Sequence, residues 1–447
     1  MQTGAPIKKN DVLEIEIDGI GYEGEGIAHL GGYTVFIRYA LPGEKVRAVV
    51  ILVKPTFAVA KLQQVLRVSP DRATPFCPVY YRCGGCGLQH MTYDAQLRFK
   101  QNAVREAFRK TARMDIEPCQ TAPSPRQTFY RNKMSLPVRG DDAQTGFFAT
   151  GSHRLVPIEE CPIQFEGNGE LIGAFRAFMH KNNLRGYNET ERTGDVRHLS
   201  VRQLGDFRTV TVVTNGNRAK RLTPFNAVLE ALYGNKYAYY LNENTSAGNR
   251  ILGAKSVLAG GELAPVTVDG LQVSVHPHAF FQVNDGVRQK LYAAAAEHAN
   301  SYAAVDAYSG AGILSALLAR KASAVLGVEI EAAAVRSAQD MAARNGIQNV
   351  TFVCDDCAEA LPRLPQAFRG QNTVVVLDPP RAGCDRRVLA ALSAACPAKI
   401  VYISCNPATL ARDVSLLTQS GFSLSSVTPF DMFPQTAGVE TLCVLTR

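Results

Sequence analysis

Lys-Ile-Val-Tyr-Ile-Ser-Cys-Asn-Pro, residues 399–407, is the stretch of sequence that decides the fold. Its apolar run predicts a buried strand over residues 399–404, and Asn406-Pro407 ends that strand because proline cannot donate a ladder hydrogen bond. Residues 408–419 have a helical pattern, and Pro407 suits the first turn of such a helix. The stretch therefore predicts a strand, a tight turn and a helix, with Cys405 at the carboxyl end of the strand.

The same alternation of strands and helices extends upstream of this stretch. Ala- and Leu-rich helical patterns separate four further apolar runs, which predict buried strands at residues 303–308, 324–329, 350–354 and 373–378. Strands that alternate with helices form a parallel sheet that is covered on both faces. The pattern predicts a doubly wound, Rossmann-like α/β domain over residues 271–447.

The first 270 residues have a different pattern. Residues 12–68 alternate short apolar and polar runs with frequent glycines, which is typical of a small, OB-like antiparallel barrel. Such barrels often bind single-stranded nucleic acid, and a purely structural β-domain has the same pattern. Residues 69–270 predict a central α+β domain. The expected domain boundaries are thus 1–68, 69–270 and 271–447.

Composition limits the class of protein. The 447 residues are 46% hydrophobic and 20% charged, as in an ordinary globular protein, and no apolar run is long enough to cross a bilayer. The N-terminus lacks the apolar region of a secretory signal, so the eleven cysteines do not indicate a disulfide framework. The net charge of +8 favours a polyanionic partner. We expect a cytoplasmic protein with no membrane segment and no obligate protein partner.

Cys405 is the first candidate for chemistry. A helix N-terminus carries partial positive charge, which lowers the pKa of a nearby thiol and favours the nucleophilic thiolate. The alternative is a small buried hydrophobic residue, since free cysteines are commonly buried for packing.

Polar residues end the other four predicted strands. The first ends in a glycine-rich segment, Asp306 to Gly312; the second ends at Glu329, Asp355-Asp356 follow the third, and the fourth ends at Asp378. In an open α/β sheet, ligands bind at the carboxyl edge of the strands. Carboxylates at this edge accept hydrogen bonds from ribose hydroxyls, so the pattern predicts a nucleoside-bearing cofactor. A single carboxylate at a strand end is often only a helix cap.

A second cysteine group lies outside this domain. Cys77, Cys83 and Cys86 have the spacing C-x5-C-G-G-C, and Cys161 follows much later. Four thiolates suit either zinc or a 4Fe–4S cluster, and the spacing does not discriminate between the two. A basic, amphipathic helix is predicted just after the close trio, over residues 93–112. Its Lys and Arg side chains predict either phosphate contacts or a solvated face.

Three long motifs and two short ones resemble a known family. The long motifs are residues 378–383 (Asp-Pro-Pro-Arg-Ala-Gly), 404–413 (Ser-Cys-Asn-Pro-Ala-Thr-Leu-Ala-Arg-Asp) and 433–441 (Phe-Pro-Gln-Thr-Ala-Gly-Val-Glu-Thr). They look like the motifs of the RNA uracil-C5 methyltransferases. Residues 22–28 and 40–44 resemble the TRAM RNA-binding barrel that many members carry. The resemblance covers nearly the whole chain.

This resemblance implies cofactors and site residues. The first cofactor is S-adenosylmethionine, and the positions that match its contacts are Gln282, Tyr308, Glu329 and Asp378, with Asp356 as an addition. Members with this cysteine pattern hold a 4Fe–4S cluster, which implies the ligands Cys77, Cys83, Cys86 and Cys161. The basic helix is implied to pack on the catalytic domain. Gly438 departs from the family, which often has histidine there.

The implied reaction is methylation of C5 of a uridine in RNA. The Cys405 thiolate adds to C6 of the uracil, and Glu440 removes the C5 proton after methyl transfer. The TRAM barrel with the cysteine group points to 23S ribosomal RNA, and transfer RNA is the alternative. Two rivals remain open: a non-catalytic iron–sulfur RNA-binding protein, and an amino-group methyltransferase with a similar Asp-Pro-Pro motif. Neither rival needs both Cys405 and Glu440.

Overall fold

The computed structural model describes residues 6–300 and 302–447. Residues 12–67 contain a six-stranded sheet in the order β1-β5-β6-β4-β3-β2. Most neighbours are antiparallel as expected, but β4 and β6 pair in parallel, so the predicted antiparallel pattern is wrong at this pair. The strands are β1 (Val12–Glu16), β2 (Gly19–Ile20), β3 (Gly26–Leu30), β4 (Tyr33–Arg38), β5 (Lys45–Val53) and β6 (Phe57–Arg67).

Helix α1 (Tyr93–Ala107) continues into a π-helical turn, Phe108–Ala112. Thr92 begins the helix by accepting a hydrogen bond from the Ala95 amide at 3.4 Å. Val104 and Phe108 are fully buried in the same core as the strands of the C-terminal sheet. The helix therefore packs on the C-terminal domain, as the sequence resemblance implied, although the central domain follows it in the chain.

The central region is a seven-stranded sheet in the order β13-β12-β11-β10-β7-β8-β9, with three helices. One face packs on α2 and α4 through a core that includes Phe175 and Phe225. The elements are β7 (Lys133–Arg139), β8 (Gln144–Phe148), β9 (Leu155–Pro157), α2 (Asn168–Lys181), β10 (Val196–Leu204), β11 (Phe207–Thr214), α3 (Ala219–Leu222), α4 (Phe225–Tyr233), β12 (Tyr237–Glu243) and β13 (Ser256–Gly261).

The C-terminal region begins with a short hairpin and continues as an α/β sheet. Its elements are β14 (Val266–Val268), β15 (Leu271–Val273), α5 (Asp285–Glu297), β16 (Ala303–Ala307), α6 (Ile313–Ala319), β17 (Ala324–Glu329), α7 (Ala332–Arg344), β18 (Val350–Cys354), α8 (Cys357–Ala360), β19 (Thr373–Leu377), α9 (Arg386–Ala395), β20 (Lys399–Ser404), α10 (Pro407–Gln419), β21 (Ser423–Phe430) and β22 (Glu440–Thr446). Short 3₁₀ turns lie at Leu361–Arg363, Gln366–Phe368 and Gly370–Asn372.

This sheet has the order β18-β17-β16-β19-β20-β22-β21. The first five strands in that order are parallel, and they are the five strands that the sequence predicted, to within one residue at each end. Strand β22 is antiparallel and lies between β20 and β21. The doubly wound prediction is therefore confirmed, and β22 begins at the same edge at which the parallel strands end. Within the described ranges, no helix is long and apolar enough to span a membrane.

Candidate active site

Cys405 lies in the turn between β20 and α10, where the sequence predicted it. Asn406 caps the helix, because its side-chain oxygen accepts a hydrogen bond from the Ala408 amide at 3.1 Å. The Asn406 amide group donates in turn to the carbonyl of Arg381 at 3.2 Å. This second bond ties the Cys405 turn to the segment that follows β19, so the thiol and the Asp378 motif share one edge of the sheet.

The pKa of the Cys405 thiol is raised, whereas the position at a helix N-terminus predicted a lowered one. Burial is the largest cause, and the negative charge of Glu440 adds to it. Arg381 opposes both through its charge and through a hydrogen bond to the thiol. Desolvation and the neighbouring carboxylate therefore act against the partial positive charge of the helix end, which alone favours a lowered pKa.

Glu440 is the first residue of β22 and is almost fully buried. The register pairs its neighbour Thr441 with Ser404, which precedes the nucleophile candidate, so Cys405 and Glu440 lie at adjacent ends of two paired strands. Burial raises the pKa of Glu440 well above its usual value, and the nearby charge of Asp378 raises it further. The structure thus brings together a thiol, a buried carboxyl group and the guanidinium of Arg381.

Three of the predicted cofactor residues line one cavity beside this group. Gln282, Tyr308 and Asp378 border a space of about 40 Å³ at the carboxyl edge of β16 and β19. Burial raises the pKa of Asp378 to about 7, and a hydrogen bond from the Gln282 side-chain nitrogen at 3.5 Å partly offsets this. The cavity is smaller than a nucleoside, so it would accommodate only part of such a ligand.

Glu329 and Asp356 do not line that cavity. Glu329 ends β17 and accepts a hydrogen bond from the Gly310 amide at 2.9 Å, so its carboxylate lies against the glycine-rich turn. Asp356 accepts from the Ala358 amide at 2.8 Å and caps the short helix α8. Glu329 is therefore placed to extend the edge of the site, whereas Asp356 has the helix-cap role that the sequence left open as the alternative.

Sequence reasoning missed several residues that line the same cavity. Asp306, at 1% exposure, accepts a hydrogen bond from the Ser315 hydroxyl at 2.5 Å, and its other carboxylate oxygen has no hydrogen-bond partner among the described residues. Burial raises the pKa of Asp306 to about 7. Arg288 and Tyr292, from α5, close the opposite wall. The signal for Asp306 was its place at a strand end, but α5 gives no sequence signal because its pattern is that of an ordinary amphipathic helix.

The four predicted metal ligands border a second cavity, remote in sequence from the first. Cys77, Cys83, Cys86 and Cys161 all line a space of about 190 Å³. This space lies between residues 77–88, which we call the cysteine-rich segment, and the central domain. Burial raises the pKa of Cys86 and Cys161 to about 12 and about 11, and the neighbouring cysteines add to both shifts. Across the described ranges, no three Cys, His, Asp or Glu side chains close on the position of a single metal ion.

The arrangement of these four thiols differs in how well it suits a zinc ion and a 4Fe–4S cluster, the two groups that the sequence left open. A zinc ion requires four ligands at about 2.0–2.3 Å from one point. The cysteines instead surround a cavity, an arrangement that suits a group of several atoms better than a single ion. No structural finding confirms the iron–sulfur expectation, which therefore stays a proposal.

The basic side chains of α1 and of the turn that follows it form ion pairs with carboxylates of the same chain. Arg98, Arg105 and Arg109 form ion pairs with Asp71, Glu117 and Glu106 respectively. Lys100 is fully buried against Asp431. Of the two interpretations left open for this helix, its pairing within the chain argues against a free phosphate-binding face.

Comparison with known proteins gives the class and then the family. Residues 262–447 match the family model described as tRNA (Uracil-5-)-methyltransferase, and residues 6–62 match the TRAM domain. An uncharacterized RNA methyltransferase of Clostridium acetobutylicum is 36% identical over 100% of this chain and 99% of its own length. One of Halalkalibacterium halodurans is 36% identical over 99% and 98%.

A solved structure agrees with these relatives. The tRNA (uracil-54, C5)-methyltransferase of Pyrococcus abyssi, in complex with S-adenosyl-L-homocysteine, has a TM-score of 0.77 at 26% identity and covers 97% of this chain and 100% of that chain. The fold and the site define an RNA methyltransferase with a Rossmann-like catalytic domain. Within that class, the chain belongs to the tRNA (uracil-5-)-methyltransferase family and carries a TRAM domain.

Proposed function

We propose that this enzyme methylates C5 of a uridine in RNA through a covalent bond between Cys405 and C6 of the base. The observation that carries the proposal is the pairing of β20 with β22, which sets a thiol and a buried carboxyl group side by side at the end of the sheet. An amino-group methyltransferase has no use for that pair.

The proposed chemistry assigns one role to each group. The Cys405 sulfur adds to C6 of uracil and so gives C5 the electron density to form a carbon–carbon bond. S-adenosylmethionine, when bound, would supply the methyl group and leave as S-adenosylhomocysteine. Glu440 then takes the C5 proton, the electron pair of that C–H bond restores the C5–C6 double bond, and the Cys405 sulfur leaves. Arg381 favours the thiolate that this cycle uses and regenerates.

Four residues are proposed to hold the methyl donor. Gln282, Tyr308 and Asp378 border the cavity at the carboxyl edge of the sheet, and Glu329 lies at the glycine-rich turn where ribose hydroxyls would be recognised. Asp356 is a weaker addition, because its carboxylate already caps α8.

The target is a uridine that is flipped out of a stack or is already unpaired, because C5 and C6 are not accessible inside a duplex. The sequence resemblance favours 23S ribosomal RNA in the cytoplasm. A transfer-RNA uridine is the second candidate, and the name of the Pyrococcus abyssi neighbour favours it. Mapping 5-methyluridine in both RNA pools of a deletion strain decides between them: the enzyme's substrate loses the modification, and the other pool keeps it.

Two substitutions test the covalent route. With labelled cofactor and substrate RNA, Cys405→Ala is expected to abolish methyl transfer. Glu440→Gln is expected to transfer the methyl group and then remain bound to the RNA through Cys405, because the C5 proton is not removed. A denaturing gel that separates the covalent complex from free protein reads out both. Methyl transfer by Cys405→Ala would exclude the covalent route. If the wild-type protein binds RNA but does not methylate it, the non-catalytic alternative is correct.

We also propose that Cys77, Cys83, Cys86 and Cys161 hold a 4Fe–4S cluster with a structural role. The shared cavity and the mutual electrostatic effect of the thiols support this. Anaerobically purified protein should contain about four irons and four sulfides per chain. Cys161→Ser should lower both, whereas Cys119→Ser, an exposed cysteine elsewhere, should not. Stoichiometric zinc without sulfide would overturn the proposal.

A further inference from the structure

The loop between β21 and β22 carries the chain into Glu440. It runs from Asp431 to Val439, and its groups are bonded to parts of the molecule that lie more than 300 residues away in sequence. Because β22 starts immediately after it, the path of this loop sets the position of the Glu440 carboxyl group.

Helix α1 holds the middle of the loop. The side-chain nitrogen of Gln96 donates to the side-chain oxygen of Gln435 at 3.0 Å, and the Gln435 backbone amide donates to the side-chain oxygen of Gln96 at 2.9 Å. Both residues are almost completely buried. The two bonds are reciprocal, so they fix the distance between the helix and the loop and the rotation of the Gln435 side chain.

The cysteine-rich segment also forms hydrogen bonds with Gln435. The backbone amides of Gly87 and Leu88, which follow Cys86, both donate to the carbonyl of Gln435, at 3.0 and 2.9 Å. The next residue, Thr436, lines the cavity of the four cysteines. Gln435 is thus the point at which the helix, the cysteine segment and the loop meet.

The hydrogen bonds from α1 and from the cysteine-rich segment hold the backbone of Gln435 in an unusual conformation. Its φ is +72°, in the left-handed region that side-chain-bearing residues rarely adopt. Such a conformation persists only where the surroundings over-determine it. Four hydrogen bonds, two to Gln96 and two from the cysteine segment, supply that constraint.

We infer that Gln435 is a positioning residue: it holds the loop so that Glu440 reaches the C5 proton, and it links the cysteine segment to the catalytic base. The inference rests on the proposed function, since it assigns Glu440 the second half of the reaction. A displaced Glu440 leaves addition and methyl transfer intact and slows only the release of the methylated RNA. Gln435 acts through the loop and is assigned no contact with the RNA base or with the methyl donor.

The test compares the two half-reactions in single-turnover experiments with the full-length protein, substrate RNA and labelled S-adenosylmethionine. Gln435→Gly removes the side-chain amide and accepts the positive φ without strain. It is expected to transfer the methyl group at close to the wild-type rate and to release the product about tenfold more slowly, so that the covalent complex accumulates. Gln96→Leu removes the partner amide and is expected to give the same accumulation.

Three reference variants make every outcome decisive. Glu440→Gln shows the complex that forms when the base is lost, and Asn242→Ala removes a buried amide with four hydrogen bonds in the central sheet, outside both the loop and α1. Gln435→Asn, which keeps a shorter amide, stands in if the glycine variant does not fold. Accumulation in the Gln435 and Gln96 variants but not in Asn242→Ala supports the inference.

The remaining outcomes overturn one proposal or the other. Accumulation only in Glu440→Gln refutes the positioning role of Gln435 and leaves the proposed function in place. Accumulation in Asn242→Ala as well attributes the effect to general destabilisation and also refutes it. Absence of a covalent complex in Glu440→Gln refutes the proposed function itself, on which the inference rests.

Discussion

The burial of the ion pair between α1 and the catalytic domain predicts how much its loss changes the free energy of unfolding. Lys100 and Asp431 are both fully buried, and the Lys100 ammonium also donates to the carbonyl of Phe433 at 2.9 Å. The Tyr93 hydroxyl donates to the other oxygen of Asp431 at 2.7 Å. Lys100→Met keeps most of the apolar stem and removes the charge, so it leaves the Asp431 carboxylate buried with one neutral donor.

Breaking a buried pair by removing one partner costs about 3–5 kcal/mol, because the remaining charge is desolvated without compensation. We expect Lys100→Met to lower the free energy of unfolding by that amount, and Lys100→Met/Asp431→Asn to lower it by less, since no charge is left unpaired. Arg109→Met breaks an exposed pair with Glu106 and is the matched control, expected to change the free energy of unfolding much less than Lys100→Met does.

Urea unfolding followed by circular dichroism, with hydrogen exchange of α1 and residues 431–439, measures these differences. Since the chain has several domains, the hydrogen-exchange data identify the transition that includes α1. A Lys100→Met cost below about 1 kcal/mol would refute the reasoning. So would a double variant less stable than Lys100→Met, because it would mean that the buried charge is not the cause.

Three further predictions concern the catalytic edge and the ion pair between Glu44 and Arg72. Asp306 has a pKa of about 7 when folded and 3.8 as its ordinary value, so the folded state binds more protons between these two pH values. The free energy of unfolding therefore falls by about 4 kcal/mol in total as pH rises through this range. Asp306→Asn should flatten this dependence, which urea unfolding at pH 5 and pH 8 measures. Glu329→Ala loses the bond from Gly310 and should weaken S-adenosylmethionine binding about tenfold in calorimetry. Arg72→Met leaves the buried Glu44 carboxylate without its cation and should cost about 3 kcal/mol, measured as faster proteolysis between residues 44 and 72.

The parts of the site that the sequence predicted are those set by local chemistry. The strand before Cys405, the Asn406 cap and the helix after it follow from an apolar run and an Asn-Pro pair, which act over a few residues. The ends of the five parallel strands follow from the same kind of signal. These local signals placed Asp378 and Cys405 at one edge of the sheet before any tertiary contact was known.

The parts that the sequence did not predict depend on contacts between distant segments. The raised pKa of Cys405 comes from burial and from Glu440, 35 residues later, which reaches it only because β22 inserts between β20 and β21. Lys100 looked like part of a basic helix face, but its partner Asp431 is 331 residues away. A pattern of residue types along the chain carries no information about such pairings.

The placement of α1 explains how segments from the first hundred residues contribute to chemistry at the end of the chain. Val104 and Phe108 fill the core beneath the catalytic sheet, while Gln96 and Lys100 on the same helix bond to the loop that leads to Glu440. A helix fixed by its apolar side chains holds its polar side chains with little freedom, which is the condition for positioning a reacting group to within a fraction of an ångström. The loop itself lacks regular structure and cannot supply that rigidity, so the position of the proposed base, Glu440, depends on a helix that precedes the central domain in the chain.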